Sequence, residues 1–173
     1  MIRKIFVLIC SAVISCSFFL CNNSDNIGII ISEIDMEEMA QLNLPDFNLV
    51  RERSFSFDSL RTEYVFAREG DSVNVFITVG LYQSEKDAEE IANDYLNDIS
   101  IGMEEGTHQG VSIGDKFWWW APGPDFINVA NIVFIRKNAL FIMSSHEYDE
   151  LMTLAIKIDS DILKKEFYIK FRN

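Results

Sequence analysis

Strand periodicity dominates residues 47–82, where apolar and polar side chains alternate along the chain. Residues 47–57 predict one strand, and residues 62–68 and 73–82 predict two more. The residues between the last two strands, 69–72, are typical of a turn, so these two strands should form a hairpin.

A helix is predicted directly after these strands. Ser84 suits its N-cap, and Asp87 stands three positions later, as in a capping box. Apolar residues at helical spacing then form one face: Ala88, Ile91, Ala92, Tyr95, Leu96 and Ile99. The acidic residues lie largely outside this face, so the pattern predicts an amphipathic helix over residues 84–99.

The second half of the chain repeats the order of strand, hairpin, strand and helix. Residues 131–136 and 139–145 flank the dipeptide Lys137-Asn138, which predicts a tight hairpin. Ser144 and Glu147 have the spacing of a second helix start. The helix after them presents one apolar face: Leu151, Leu154, Ala155, Ile158 and Ile162.

These elements predict an α+β fold. We expect an antiparallel sheet with two amphipathic helices packed on one face, because neither group of strands and helix can bury its apolar surface alone. VFAR (65–68) and VFIR (133–136) match, which raises the hypothesis of two duplicated ββα units. Two such units also look alike without duplication, so both interpretations stay open. Residues 27–44 combine strand and helix features, and their pattern does not decide between them.

The three tryptophans of the chain stand side by side in the segment GDKFWWWAPGPDF. Turn residues on both sides give residues 116–121 the length of a strand. In a strand, Trp118 and Trp120 share one face and Trp119 lies on the other, so a platform of three tryptophans is excluded. These side chains have two alternative roles, core packing and contact with a ligand or partner, and the sequence alone does not decide between them. Asp125, in the Pro-rich turn that follows, would lie at the rim of such a site.

The N-terminus has the layout of a secretory signal peptide, with Arg3 and Lys4 ahead of a short apolar run. The segment Val13-Ile14-Ser15-Cys16 at the end of this run resembles the lipobox of bacterial lipoproteins. The resemblance implies cleavage before Cys16 and acylation of Cys16, with Cys21 as the alternative. A secreted protein and a transmembrane anchor are the other interpretations of this segment.

The lipobox resemblance divides the chain into a signal peptide (1–15), a lipidated cysteine with a polar tether (16–26) and one α+β domain (27–173). It implies a lipid-anchored protein of the bacterial cell envelope. Ser17, in place of an aspartate, implies the outer membrane under the enteric sorting rule, with the periplasmic or surface face left open. The chain is also similar to uncharacterised envelope lipoprotein domains in four features: Leu44-Pro45, the helix over 84–99, Ile113-Gly114-Asp115, and the hairpin and helix over 131–163. This second resemblance implies location and fold but no activity.

The net charge limits the classes of partner that the protein can bind, and the cysteine positions limit its disulfides. The formal net charge is −12, and removal of residues 1–15 would take away two basic residues and no acidic one. Such a surface repels phosphate backbones and anionic headgroups, so we expect no nucleic-acid partner and membrane contact only through the lipid. The cysteines are Cys10, Cys16 and Cys21, so no disulfide can staple the domain.

Candidate chemistry is sparse. The sequence contains no nucleophile elbow, no HExxH zinc motif and no phosphate-binding loop. His108 and His146 could join a carboxylate such as Glu104, Glu105 or Glu147 around a metal, but a loop histidine and a helix-end histidine are the simpler interpretation. We therefore predict no catalytic residue, no cofactor and no metal.

The sequence leads to one functional hypothesis and one alternative. The first is a binding or interaction module that contacts another envelope protein or a small ligand near Trp118, Trp119, Trp120 and Asp125. The alternative is a carboxylate-dependent envelope hydrolase, for which a cluster of acids in a deep cleft would be needed. The oligomeric state is not determined by the sequence.

Overall fold

The computed structural model of the chain describes residues 36, 38–39, 44, 46–56, 60–70, 74–99, 102–121 and 129–172, and the side chains of all of these but 56, 60 and 166–172. Within this part of the chain, seven strands form one antiparallel sheet. The elements are β1 (Phe47–Ser56), β2 (Leu60–Arg68), β3 (Asn74–Leu81), α1 (Glu85–Asp98), β4 (Glu104–Glu105), β5 (Lys116–Trp120), β6 (Ala130–Arg136), β7 (Ala139–Ser145) and α2 (Tyr148–Arg172). The predicted α+β class is confirmed.

The strand order is β1-β2-β3-β7-β6-β5-β4, so the two halves of the chain meet in the middle of the sheet. β3 and β7 form the central pair, in a register that sets Phe76 opposite Ser144. The predicted hairpin between β6 and β7 is confirmed, with Arg136 opposite Ala139. Lys137 in its loop has a left-handed φ of 55°, which a tight two-residue turn requires.

The helices pack on opposite faces of the sheet, so the prediction that both share one face is wrong. Side chains alternate along β6: Ile132 and Phe134 join a core cluster with α2, whereas Val133 and Ile135 join a second cluster with α1. Alternate residues of a strand point to opposite faces, so the two clusters lie on the two sides of the sheet. The fold therefore has three layers in the order α1, sheet, α2.

The physical reason lies in the central strands. β6 is buried at every position from Ala130 to Ile135, and such a strand exposes apolar side chains on both faces unless both are covered. A single layer of helices would leave one of these faces in water. The uninterrupted apolar run in β6 was the sequence feature that could have indicated two helix layers.

The same arrangement argues against two copies of one ββα unit. A two-fold rotation about an axis perpendicular to the sheet would superpose β1–β3 on β5–β7, which run in the opposite direction. Such a rotation does not exchange the two faces of the sheet. Two copies would thus carry their helices on the same face, whereas α1 and α2 lie on opposite faces. The matching segments of β2 and β6 do share a face, since Phe66 and Phe134 both belong to the α2-side cluster.

Coverage of the two faces is unequal. On the α2 side, the β3 residues Val75, Ile77 and Val79 are all buried, and Met36 and Met39 add to the core there. On the α1 side, the same strand has Phe76 exposed. The helix α1 covers β6 and β7 but leaves much of β3 and its neighbours open, and we call this uncovered surface the open half-face.

The predicted helix start is confirmed at α1, whereas α2 begins three residues later than its predicted start: it runs from Tyr148, and the backbone carbonyl of Glu147 accepts from the Leu151 N–H at 3.1 Å. The side-chain oxygen of Ser84 accepts a hydrogen bond from the backbone N–H of Asp87 at 3.2 Å, as predicted for the start of α1. The predicted Ser144 lies inside β7, and Ser145 Oγ accepts from the Glu147 N–H at 3.1 Å in the turn between β7 and α2. Within the ambiguous residues 27–44, Met36, Glu38 and Met39 are helical.

Candidate functional site

The tryptophans alternate between faces, as the strand prediction required. Trp118 is only 8% exposed and belongs to the α1-side core with Ala88 and Ala92. Trp119 packs against the α2-side core, and Trp120 is half-buried. Most of this aromatic surface is therefore used for packing. Asp125, Cys16 and Cys21, the other predicted site residues, lie outside the described residues.

Trp119 belongs to a compact aromatic group with His108 and Tyr148. The rings of His108 and Trp119 are 4.0 Å apart between centroids, and those of His108 and Tyr148 are 5.4 Å apart. Burial, followed by the charges of Asp149 and Glu104, raises the pKa of Tyr148 to about 12. The rings contact one another directly, so this group is a packing cluster, and the described residues include no set of three or more acidic, histidine or cysteine side chains placed to hold a metal.

A groove runs along α1 where the helix meets the open half-face, and we call it the α1 groove. It encloses about 440 Å³. Its floor is formed by β3 and β7, with Phe76, Thr78 and Ile142 among the side chains, and α1 forms one wall. Phe76 is 41% exposed there, which is unusual for a phenylalanine in the middle of a strand.

The wall of the groove explains one departure from the helix pattern. Ile91 falls on the apolar face predicted for α1, and Ala88 and Ala92 on that face are buried as expected. Ile91, however, is 41% exposed and lines the α1 groove. Because α1 lies over β6 and β7 and the described residues leave the sheet open beside it, Ile91 stays partly exposed and contributes apolar surface to the groove.

Tyr82 lies across the floor of the groove over Gly80. A Cβ atom added to Gly80 would be 2.7 Å from Cε2 of the Tyr82 ring, so only glycine permits this close approach. The backbone of Tyr82 is fixed by Asn138, whose Nδ2 donates to the Tyr82 carbonyl at 2.6 Å and whose own carbonyl accepts from the Tyr82 N–H at 3.0 Å. The β6–β7 turn thus fixes the backbone of the residue whose aromatic ring lies beside the groove.

Charged groups stand on both sides of this apolar floor. Asp94 and Asp98 project from α1, one helical turn apart, and both are exposed. Between them in sequence, Tyr95 lines the groove, and burial raises its pKa above the ordinary value. Arg61 of β2 also lines the groove, and its Nη2 lies 2.9 Å from Oε1 of Glu63.

A second cavity, of about 490 Å³, lies beside α2 between Ile113, Ile156 and Leu163. Its charged residues are already paired: Asp159 binds Arg136 at 2.8 Å, and Lys164 binds Asp161 at 3.2 Å. No charge in its lining is left to orient a ligand, so the α1 groove is the stronger candidate site among the described residues.

The sequence did not single out the α1 groove, because its residues come from β2, β3, β7 and α1. One local feature did stand out in retrospect: α1 ends in acidic residues and has no basic residue in its last turn. Helices normally carry basic side chains there, so the departure marked this end of the helix.

Comparison with known proteins found no matching family model, no matching curated protein and no matching solved structure. Among the described residues, no helix is both long enough and apolar enough to cross a membrane.

Proposed function

We propose that the protein is a lipid-anchored protein of the bacterial cell envelope whose α+β domain is a binding module. The anchor is supported by the signal-peptide layout of residues 1–15 and by the lipobox-like segment that ends at Cys16. Several acyl chains on one residue would give stable membrane attachment. Ser17 supports the outer membrane as the location.

The observation that carries the binding proposal is the exposed Phe76 on the floor of the α1 groove. Ligand sites are concave, mostly apolar and provided with a few polar groups that orient the ligand. The α1 groove has this composition: Phe76, Ile142 and the ring of Tyr82 supply apolar surface, and Asp94 and Asp98 supply charge at the rim. The binding surface therefore shifts from the tryptophans to the open half-face, on the side of the sheet that carries α1.

The geometry supports binding over hydrolysis. A glycosidase-type pair needs carboxylates that flank the scissile bond from two sides. Asp94 and Asp98 project from the same wall of an open groove and are exposed to solvent. Their placement suits the attraction of a charged group more than the protonation of a leaving group and the activation of water.

Cysteine labelling tests whether the α1 groove is occupied in the envelope. The chain has no cysteine after Cys21, so in a Cys21→Ser background Phe76→Cys introduces a single thiol into the domain. The matched control is Val50→Cys, at an exposed position of β1 that does not line the groove. Maleimide labelling is measured in intact envelopes and in the extracted, dialysed full chain.

If a ligand or partner fills the groove, the thiol introduced at position 76 is labelled several-fold more slowly in envelopes than after extraction, and the control thiol is labelled equally in both. Equal labelling of both thiols in both preparations would contradict binding in the groove.

A further inference from the structure

We infer that the α1 groove takes a small amphiphilic cation, with an ammonium head between Asp94 and Asp98 and an apolar body on Phe76. This inference rests on the proposed function and names the chemical class of its ligand. Three observations support it: unpaired acids at the negative end of a helix, a basic residue that is already neutralised, and an apolar aromatic floor of matching size.

The acidic residues of α1 differ in whether they form ion pairs. Glu89 pairs with Lys116 at 2.8 Å and Glu90 pairs with Lys86 at 3.2 Å, whereas in the described part of the chain Asp94 and Asp98 have no ion-pair partner. Glu85 and Asp87 are also without an ion pair among the described residues, but they lie in the first turn, where the helix itself favours negative charge. Asp94 and Asp98 lie beyond that turn and line the groove. A cation in the groove would meet two carboxylates whose charge no protein group has compensated.

The helix itself adds to this negative potential. Asp98 is the last residue of α1, whose final turn contains no basic residue. The unsatisfied carbonyl groups at a helix C-terminus carry a partial negative charge of roughly half an electron, so acidic side chains there are unfavourable for the free protein. Sequences that break such a local rule without visible compensation often do so at functional sites. A bound cation would supply the missing compensation.

Arg61 does not cancel this field. It lines the groove, but its guanidinium group is held at 2.9 Å by the carboxylate of Glu63 on the same strand. The pair is close to neutral as a unit, so the charge facing a ligand is that of Asp94 and Asp98. An anionic ligand would have to approach two carboxylates beside an arginine whose charge Glu63 already offsets.

The floor of the groove determines the rest of the ligand. Phe76, Tyr82 and Tyr95 present aromatic surface, and the faces of aromatic rings attract cations as well as apolar groups. The cavity of about 440 Å³ lies in the range of small-molecule sites, roughly 300–1,000 Å³. We therefore assign the groove to a small amine with an aliphatic or aromatic body.

The test is a ligand-observed NMR titration of the full chain in a non-ionic detergent with three probes of matched size. These are phenylethylamine, which is cationic, 2-phenylethanol, which is neutral, and phenylacetate, which is anionic. We expect phenylethylamine to bind roughly tenfold more tightly than 2-phenylethanol and phenylacetate to bind most weakly, because one charge contact with a carboxylate near the surface is worth about that factor.

Two double variants separate local charge from net charge. Asp94→Asn with Asp98→Asn should weaken phenylethylamine binding roughly tenfold and leave 2-phenylethanol unchanged. Glu52→Gln with Glu105→Gln removes the same charge at exposed positions outside the groove and should leave both affinities unchanged. Equal losses in the two double variants would show general attraction to an acidic protein and would overturn the inference.

The failure of the inference is distinguishable from failure of the proposed function. If 2-phenylethanol or phenylacetate binds as tightly as the amine and Phe76→Thr weakens that binding, the groove is a binding site but not for cations. If no probe binds, or if Phe76→Thr changes nothing, the inference of a small cation fails, and the proposed function then depends on the labelling at position 76: slower labelling in envelopes supports a different occupant, and equal labelling overturns the groove as a binding site. A short lysine-containing peptide is titrated as a fourth probe, and tighter binding of this peptide than of phenylethylamine would overturn the assignment to a small ligand.

Discussion

At the scale of single residues, Arg136 connects three parts of the fold. Its Nε and Nη2 atoms donate to the two carboxylate oxygens of Asp159 at 2.9 and 2.8 Å, and its Nη1 donates to Asp115 at 2.7 Å. Asp115 also accepts from the backbone N–H of Lys137 at 2.7 Å. The side chains of Arg136 and Asp159 are 13% and 8% exposed, so this bidentate pair joins β6 and α2 largely away from water. Asp115, which is 37% exposed, links the turn before β5 to the same arginine.

We expect Arg136→Met to lower the free energy of unfolding by about 3–5 kcal/mol, because it leaves Asp159 buried without a counter-charge. Urea denaturation followed by circular dichroism measures the change. The control is Arg61→Met, whose side chain is 50% exposed beside Glu63 and should cost at most about 1 kcal/mol. Equal losses for the two variants would contradict the importance assigned to burial of the Arg136 pair.

At the scale of elements, the placement of charge along α1 makes a prediction about stability. Asp98 is at the carbonyl end of the helix, and Asp87 is in the first turn, where negative charge is favourable. Asp98→Asn should raise the free energy of unfolding by about 0.3–1 kcal/mol, and Asp87→Asn should lower it by a similar amount.

Thermal and urea denaturation at low ionic strength measure both changes, since salt screens the interaction with the helix. A gain in stability for Asp98→Asn would agree with a carboxylate that destabilises the free protein and is compensated only when a ligand binds. A loss of stability in the same variant would show instead that Asp98 holds the structure together.

Local pattern was enough to predict most elements. The alternation of Trp118 and Trp119 between faces, the Ser84 N-cap and the β6–β7 hairpin all follow from spacing along the chain, and the structure confirms each of them. The position of the helices relative to the sheet does not follow from spacing within either helix. It depends on β6, whose continuous apolar run needs cover on both sides.

The α1 groove was beyond sequence analysis for a related reason. Ile91 has the spacing of a core residue, and its exposure arises only because α1 lies over β6 and β7 and not over β3. Phe76 is likewise exposed because α1 does not extend over this part of β3. Sites that depend on the absence of a tertiary neighbour leave no periodic signal, whereas buried faces do.

At the scale of the whole molecule, the fold combines a larger core on the α2 side of the sheet with a smaller core and a partly open face on the α1 side. The α2 side supplies the larger core, with Phe66, Phe134 and Phe141 among its fully buried side chains. No cysteine occurs after Cys21, so this packing has to stabilise the domain without disulfides. The α1 side can then leave half of its face uncovered, and this surface is the one we assign to binding.

The proposed function places the domain at a membrane through Cys16, and the intact mass of the membrane-extracted protein tests this most directly. We predict a wild-type mass equal to the chain from Cys16 onward plus its acyl groups, the same acylated form for Cys21→Ala, and loss of the acyl mass for Cys16→Ala. A mass and membrane retention that neither substitution changes would contradict the lipid anchor.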